Sequence, residues 1–277
     1  MARIDSHQHF WKYDPRRDTW ITSEMSALAR DFMPEDLEPI LKKHQFDGCV
    51  VVQSAQTEEE NIFQLKNAEN NSFIKGIVGW VDLKSADLEE RLQEYKNSPL
   101  IKGFRHILQG ETNRALMLEE DFKNGLYLLS KYNFTYDVLI YPDQLIFLEE
   151  FLNTTNYIPL VIDHIAKPDI KAGNFSDWSK RIRKIAAFEN VYCKVSGLVT
   201  EADWLNWQYE DFKPCLDTVF NAFGTDRLMY GSDWPVCELA GGYDRMLSLL
   251  QKYTSSLTKL EQAKFWGENA TKFYHLA

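Results

Sequence analysis

Short apolar, β-branched runs alternate with longer amphipathic ones along the whole chain. The apolar runs are Ile4–Phe10, Gly48–Gln53, Ile74–Val81, Ile101–Leu108, Phe134–Tyr141, Pro159–His164, Val191–Leu198 and Leu228–Trp234. Their length and continuous hydrophobicity are those of strands buried on both faces of a parallel sheet. The segments between them carry helix signals. Thr57-Glu58-Glu59-Glu60 reads as a capping box ahead of Ile62, Phe63 and Leu65. Ser85 opens a Leu88, Leu92, Tyr95 stripe, and Pro142-Asp143 precedes Leu145, Leu148 and Leu152. Ser176-Asp177 precedes Ile182, Ile185 and Ala186 in the same way. Repeated strand–helix units predict an α/β fold, a single (β/α)8 barrel over residues 1–277. The competing open, doubly wound sheet usually has about five or six strands and a Gly-x-Gly-x-x-Gly first turn, which is absent after the first run. A further helical segment, Thr258–Phe273, starts with a capping box of Thr258 and Glu261 and is expected to pack on the outside. The stretch Trp11–Arg30, rich in aromatic and polar residues, reads as an excursion that shapes the barrel mouth.

Composition refines this picture in a few places. The length of 277 residues by itself suggests about two domains, a number the strand–helix count reduces to one. An apolar content of 44% with 14% aromatics excludes a disordered chain. The net charge of −10 argues against a nucleic-acid partner. The basic cluster Arg181-Ile182-Arg183-Lys184 reads as a solvated helix face. No run approaches the roughly 18 apolar residues of a membrane span, and an acid and two histidines stand where a signal peptide needs an apolar stretch. The expectation is a cytoplasmic protein with no membrane partner. Cys49, Cys193, Cys215 and Cys237 form no Cys-x-x-Cys pair and are expected to be buried free thiols.

Barrel active sites lie at the C-terminal ends of the strands. The first run contains His7-Gln8-His9, and residues two apart on a strand point the same way. Further polar residues end the fourth run (Arg105-His106), the sixth (Asp163-His164), the seventh (Lys194 to Ser196) and the eighth (Asp233). Taken singly, each has a plain structural reading: a hydrogen-bonded histidine, a turn-capping Asp233, a salt-bridged Lys194. Together, His7, His9, His164 and Asp233 surround one cavity, and imidazole with carboxylate suits zinc or a similar divalent ion.

Ile4-Asp5-Ser6-His7-Gln8-His9-Phe10-Trp11 resembles the opening signature of the amidohydrolase superfamily, in particular its amidohydrolase-related branch of sugar-lactone hydrolases. Similar matches follow in order: Gly103 to Gln109, Ile162-Asp163-His164, Lys194 to Leu198, Gly231 to Pro235, and Asn269-Ala270 with Phe273-Tyr274. The resemblance implies a (β/α)8 fold, hydrolytic chemistry and Asp233 as the proton-transferring carboxylate. It also implies L-fuconolactone or L-rhamnonolactone as substrate. Many members bind two metals through a carboxylated lysine and a further histidine on strand five. Here the fifth run has neither Lys nor His, so a binuclear centre is not expected. One divalent metal ion, zinc foremost, at His7, His9, His164 and Asp233 remains, as does metal-independent action.

Opening a lactone needs a deprotonated water, a stabiliser for the tetrahedral oxyanion and a proton for the leaving alkoxide. One carboxylate, Asp233, can serve both proton steps, with His7, His9 and His164 as its catalytic neighbours. Arg105, His106, Lys194 and Gln56 are candidate substrate-binding residues, with Gln53 beside them. Trp11, Trp20 and Trp234 are candidates for an apolar wall against a sugar face. Cys237 is a weaker candidate nucleophile, with no histidine near it in sequence. Two other readings stay open: a metal-dependent decarboxylase of an aromatic or unsaturated acid, and a non-catalytic small-molecule binding barrel.

Overall fold

Each apolar run pairs in parallel with the next in the computed structural model, which describes residues 2–155 and 157–277. The strands are β1 (Ile4–Gln8), β2 (Gly48–Val52), β3 (Ile74–Gly79), β4 (Ile101–His106), β5 (Thr135–Val138), β6 (Leu160–Ile162), β7 (Val191–Val195) and β8 (Leu228–Tyr230). Every predicted run contains a strand, and each strand stops short of the predicted end. The residues that drop out there, such as Asp163-His164 and Asp233, leave the ladder to build the site. The seam between β8 and β1 closes by a parallel bridge of Gln8 with Trp234. Around it, Asp233 N donates to His7 O and His9 N donates to Trp234 O, each at 2.8 Å. The sheet is therefore a barrel, and its closure joins the two segments that carry most of the candidate chemistry.

Helices alternate with the strands: α1 (Pro34–Lys43), α2 (Glu58–Glu69), α3 (Leu88–Tyr95), α4 (Glu120–Lys131), α5 (Leu145–Thr154), α6 (Ser176–Ile185), α7 (Tyr209–Phe223) and α8 (Gly242–Thr254). Outward strand residues such as Cys49, Val51, Ile77, Phe104, Cys193 and Val195 pack with them in one core. On α2 the expected apolar face is not the buried one, and Ile62 is 65% exposed. Its buried face is polar because it covers main chain leaving β1 and β3, which needs partners. Asn61 Nδ2 donates to Trp80 O at 2.7 Å and Gln64 Nε2 to Phe10 O at 2.8 Å. The expected capping box is only half formed: Thr57 Oγ1 accepts from Glu60 N, while the Glu60 carboxylate turns to Ser54. The basic cluster on α6 does lie on the solvated side, where Lys184 Nζ meets Glu149 at 2.8 Å.

Inside the barrel, Ile4, Val50, Val52, Val78, Val161 and Met229 form a second apolar cluster. The C-terminal segment completes it, in contrast to the outside packing expected from sequence. This segment runs through α9 (Lys259–Ala263), a π-helical turn (Lys264–Glu268) and α10 (Asn269–Phe273), and Thr258 with Glu261 does form the capping box. Asn269 Nδ2 then donates to Leu228 O at 2.6 Å, and Ala270, Phe273 and Tyr274 join the interior cluster. The segment thus plugs the N-terminal end of the barrel. The excursion after β1 is pinned at its base, where Trp11 and Phe32 exchange main-chain hydrogen bonds of 3.0 and 2.9 Å. Among the described residues, no helix is long and apolar enough to cross a membrane.

Candidate active site

A register shift between Asp5 and Gln8 bulges β1 and lets Ile4 and His7, three residues apart, both face the interior. His9 lies just beyond the strand, and both imidazoles reach Asp233. The Nε2 atoms of His9, His7 and His164 lie 3.3, 3.8 and 3.9 Å from Asp233 Oδ1. Asp233 and His164 both sit in the left-handed backbone region, at φ of +57° and +54°. Such conformations are unfavourable for residues other than glycine and cluster where function holds them. Two glycines leave room for the arrangement. A Cβ on Gly197 would stand 2.4 Å from His164 Nδ1, and one on Gly231 would stand 2.6 Å from His7 Cβ.

The far side of each imidazole sets its tautomer. His9 Nδ1 faces Val52 O at 2.7 Å, and His7 Nδ1 faces Asp163 Oδ1 at 3.1 Å. Val52 O is an acceptor, so His9 Nδ1 carries a proton; His7 Nδ1 stands between the Asp163 acceptor and the Lys194 ammonium, each at 3.1 Å, and the Arg105 NH1 donor 3.4 Å from His7 Nε2 favours the proton on Nδ1. His164 Nδ1 bonds Ser196 Oγ at 2.9 Å, again leaving Nε2 on the inner side. Burial pushes His164 down to about 4 and drives His7 well below its ordinary value. Burial alone would lift the Asp233 carboxyl, but the imidazoles of His164, His9 and His7 outweigh it and hold the group below the usual carboxylate range. The Nε2 atoms of three imidazoles thus converge on one carboxylate oxygen, a donor set suited to a divalent cation once the imidazoles are neutral. The ligand atoms of His7, His164 and Asp233 all lie within 4.8 Å of one another, and His9 joins them through its 3.3 Å contact with Asp233.

Beneath this cluster runs a fully buried charge network. Lys194 Nζ lies 2.5 Å from Asp137 Oδ2 and 3.1 Å from Asp163 Oδ1, with all three side chains at 0% exposure. Arg105 NH1 donates to Asp163 Oδ2 at 3.0 Å, and its NH2 donates to Gln53 O. Tyr274 OH donates to Asp137 at 2.9 Å from the plug below. Burial would raise the Asp163 carboxyl, but Lys194, His7 and Arg105 hold it well below the usual range. Asp137 is pushed up to about 6 by burial, against the pull of Lys194.

Above the cluster opens a cavity of about 440 Å³, with His9, Trp11, Arg105, His164 and Asp233 in its walls. His7 lies beneath, fully buried. Three expected substrate-binding residues are placed elsewhere. Lys194 is locked in the network below. His106 turns its Nε2 onto Glu111 at 2.7 Å, and Gln56 Oε1 accepts from Ile107 N at 2.7 Å, tying the loop after β2 to the end of β4. The aromatic wall also differs from expectation. Trp11 and Trp20 line the cavity with Trp204, whereas Trp234 is 2% exposed and packs on Phe10 and Phe32. Cys237 is fully buried, outside the cavity wall, and burial pushes its thiol well above the ordinary value. Sequence reasoning missed Asp137, whose only signal was a lone charge inside an apolar run. It also missed Tyr141, Lys167, Glu201 and Trp204, which line the cavity from loops and a short 3-10 turn without periodicity.

Comparison with known proteins places this geometry. The chain is 39% identical to an L-fucono-1,5-lactonase of Burkholderia multivorans, over 99% of this chain and 96% of that protein. It is 34% identical to an L-fucono-1,5-lactonase of Burkholderia ambifaria, with the same coverage of 99% and 96%. A zinc-bound crystal structure of an amidohydrolase from Burkholderia multivorans has a TM-score of 0.96 at 38% identity, with both chains covered in full. A sequence model of the amidohydrolase family matches residues 4–276, and the chain belongs to that family.

Proposed function

We propose that this chain hydrolyses a sugar lactone, an aldonolactone of the L-fucono-1,5-lactone type, to the free acid, with the chemistry centred on Asp233. The observation that carries the reading is the position of Asp233. Its carboxylate stands in the wall of the cavity within 3.3–3.9 Å of three imidazole nitrogens, in a chain that matches two L-fucono-1,5-lactonases over 99% of its length. Those relatives share lactone hydrolysis, and the cavity offers a lactone ring both a proton-transfer group and hydrogen-bond donors.

Asp233 takes the proton from the attacking water and returns it to the ring alkoxide as the C–O bond breaks. Arg105, its guanidinium held by Asp163 and Gln53, supplies donors at the cavity wall for the developing oxyanion. Such a donor, when well placed, is worth roughly 3 kcal/mol. Trp11, Trp20 and Trp204 give the ring an apolar surface and narrow the access of bulk water. His7, His9, His164 and Asp233 are the residues that would hold a divalent ion, zinc foremost, and such an ion supplies carbonyl polarisation and an acidified water. The zinc bound by the Burkholderia multivorans amidohydrolase supports that choice of ion.

The test is proton release, followed with a pH indicator, across a panel of aldonolactones, with the spontaneous rate subtracted. The expected result is strong acceleration with L-fucono-1,5-lactone. No acceleration above the spontaneous rate with any aldonolactone would overturn the reading.

A further inference from the structure

His164 opens an unusual piece of backbone. His164, Ile165, Ala166 and Lys167 have φ of +54°, +48°, +58° and +48°, four successive left-handed residues with no glycine among them. Left-handed helical backbone disfavours such residues by roughly 1–2 kcal/mol each, so the surrounding structure must hold the turn. It does so from inside: Ile165 and Ala166 are 0% exposed, and Trp178 Nε1 donates to Ile165 O at 2.8 Å. Lys167 N donates back to His164 O at 2.8 Å. The outcome is that the first and last residues of the turn, His164 and Lys167, both line the cavity. Placing His164 alone would not need the turn to continue to Lys167.

Lys167 Nζ lies 3.2 Å from Glu201 Oε1, which also lines the cavity, and 5.6 Å from the centroid of the Tyr141 ring. The two charged side chains remain 16% and 22% exposed. A mostly buried ion pair recovers little beyond the cost of desolvating its two charges, so its own stability does not account for the turn that presents it. The pair is better explained by what it offers a ligand. An ammonium supplies three donors and no acceptor, and a carboxylate supplies acceptors only. Adjacent hydroxyls on a sugar ring each donate and accept, and match a donor placed beside an acceptor.

We propose that Lys167 and Glu201 form a hydroxyl-reading subsite, in which a vicinal diol of the sugar lactone accepts from Lys167 and donates to Glu201. This rests on the lactonase reading and makes the pair the determinant of preference for polyhydroxylated over plain lactones. A site built to hydrogen-bond a hydroxyl discriminates strongly against a ligand without it, because its own polar groups are left unpaired.

The experiment compares wild type with Lys167→Met and Glu201→Met on L-fucono-1,5-lactone and on δ-valerolactone, the unsubstituted ring of the same size. Thermal melting of each variant checks the fold. Each variant should lose about 10- to 100-fold in kcat/KM on the sugar lactone, mostly through KM, and stay within about twofold on δ-valerolactone. Equal losses on both lactones, or no loss on the sugar lactone, would overturn the subsite. Binding of the aldonate product, read by quenching of tryptophan fluorescence, decides the case where wild type leaves δ-valerolactone untouched. Kd must then rise about tenfold or more in both variants, and an unchanged Kd overturns the subsite. Wild type active with unaltered variants removes the subsite alone. Wild type inactive on every aldonolactone removes the lactonase reading and the subsite with it.

Discussion

Replacing Lys194 with methionine keeps a side chain of similar length and deletes the charge at the centre of the buried network. Asp137 at 2.5 Å and Asp163 at 3.1 Å from Lys194 Nζ would then face Arg105 as their only buried cation in this network. Breaking a buried ion pair by removing one partner typically destabilises by about 3–5 kcal/mol. The chain can limit the loss by protonating a carboxyl, and Asp137, already pushed up to about 6, is the group that does so. Holding a proton at pH 7 on a carboxyl whose ordinary value is 3.8 costs about 4 kcal/mol at ~1.36 kcal/mol per unit. The two routes agree, so Lys194→Met should lose about 4 kcal/mol at pH 7.

The sign of the pH dependence follows from proton counting. The folded variant carries a proton on Asp137 that the unfolded chain lacks above its ordinary value. Stability relative to wild type then falls as pH rises, with a slope that approaches about 1.4 kcal/mol per unit above pH 7, where wild-type Asp137, at about 6, has ionised. Lowering the pH recovers it. Urea denaturation followed by tryptophan fluorescence measures both quantities, as a shift of midpoint at unchanged slope. The double variant Lys194→Met/Asp137→Asn should lose the pH slope and regain part of the stability. A single-variant loss below about 1 kcal/mol, flat from pH 6 to 8, would show that Lys194 does not balance the buried carboxylates.

Three further outcomes follow from other parts of the molecule. Gly197→Ala should displace His164, since the new Cβ would stand 2.4 Å from its Nδ1. Turnover should fall by about 10²-fold, the scale of a misplacement near 1 Å, and a rate within about twofold of wild type would contradict this. Tyr274→Phe removes the 2.9 Å donor to buried Asp137 and should destabilise by about 2 kcal/mol in urea titrations. A neutral effect would show that the C-terminal plug does not support the network. All four cysteines are buried and free, so Ellman's reagent should label none in the folded protein and all of them in urea. Rapid labelling of Cys237 in the folded state, with loss of activity, would restore it as a candidate nucleophile.

The barrel was legible in the chain because strands buried on both faces read as uninterrupted apolar runs. The convergence of His7, His9, His164 and Asp233 was legible for a related reason: strand ends in a barrel share one rim. Other features depend on partners far away in sequence. Lys194 reads equally well as a ligand of substrate or as part of a salt bridge until Asp137, 57 positions away, is seen beside it. Tyr274 gives no local sign that its hydroxyl enters the barrel from below. On α2 the polar residues Asn61 and Gln64 face inward because main chain leaving β1 and β3 needs partners, a demand that hydrophobic periodicity does not register. Lys167 ends a left-handed turn and Glu201 a short 3-10 turn (Val199–Glu201), and no repeat announces either.

Asp233→Asn is the direct test of the proposed proton transfer by Asp233 during opening of a sugar lactone in this cavity. The measurement is kcat and KM for L-fucono-1,5-lactone in wild type and variant, with zinc content determined on the same samples. Asparagine preserves the shape and removes the base. The expected kcat is lower by about 10²- to 10⁴-fold, with KM within a few-fold. A kcat within about threefold of wild type, at equal zinc content, would contradict the proposed proton transfer.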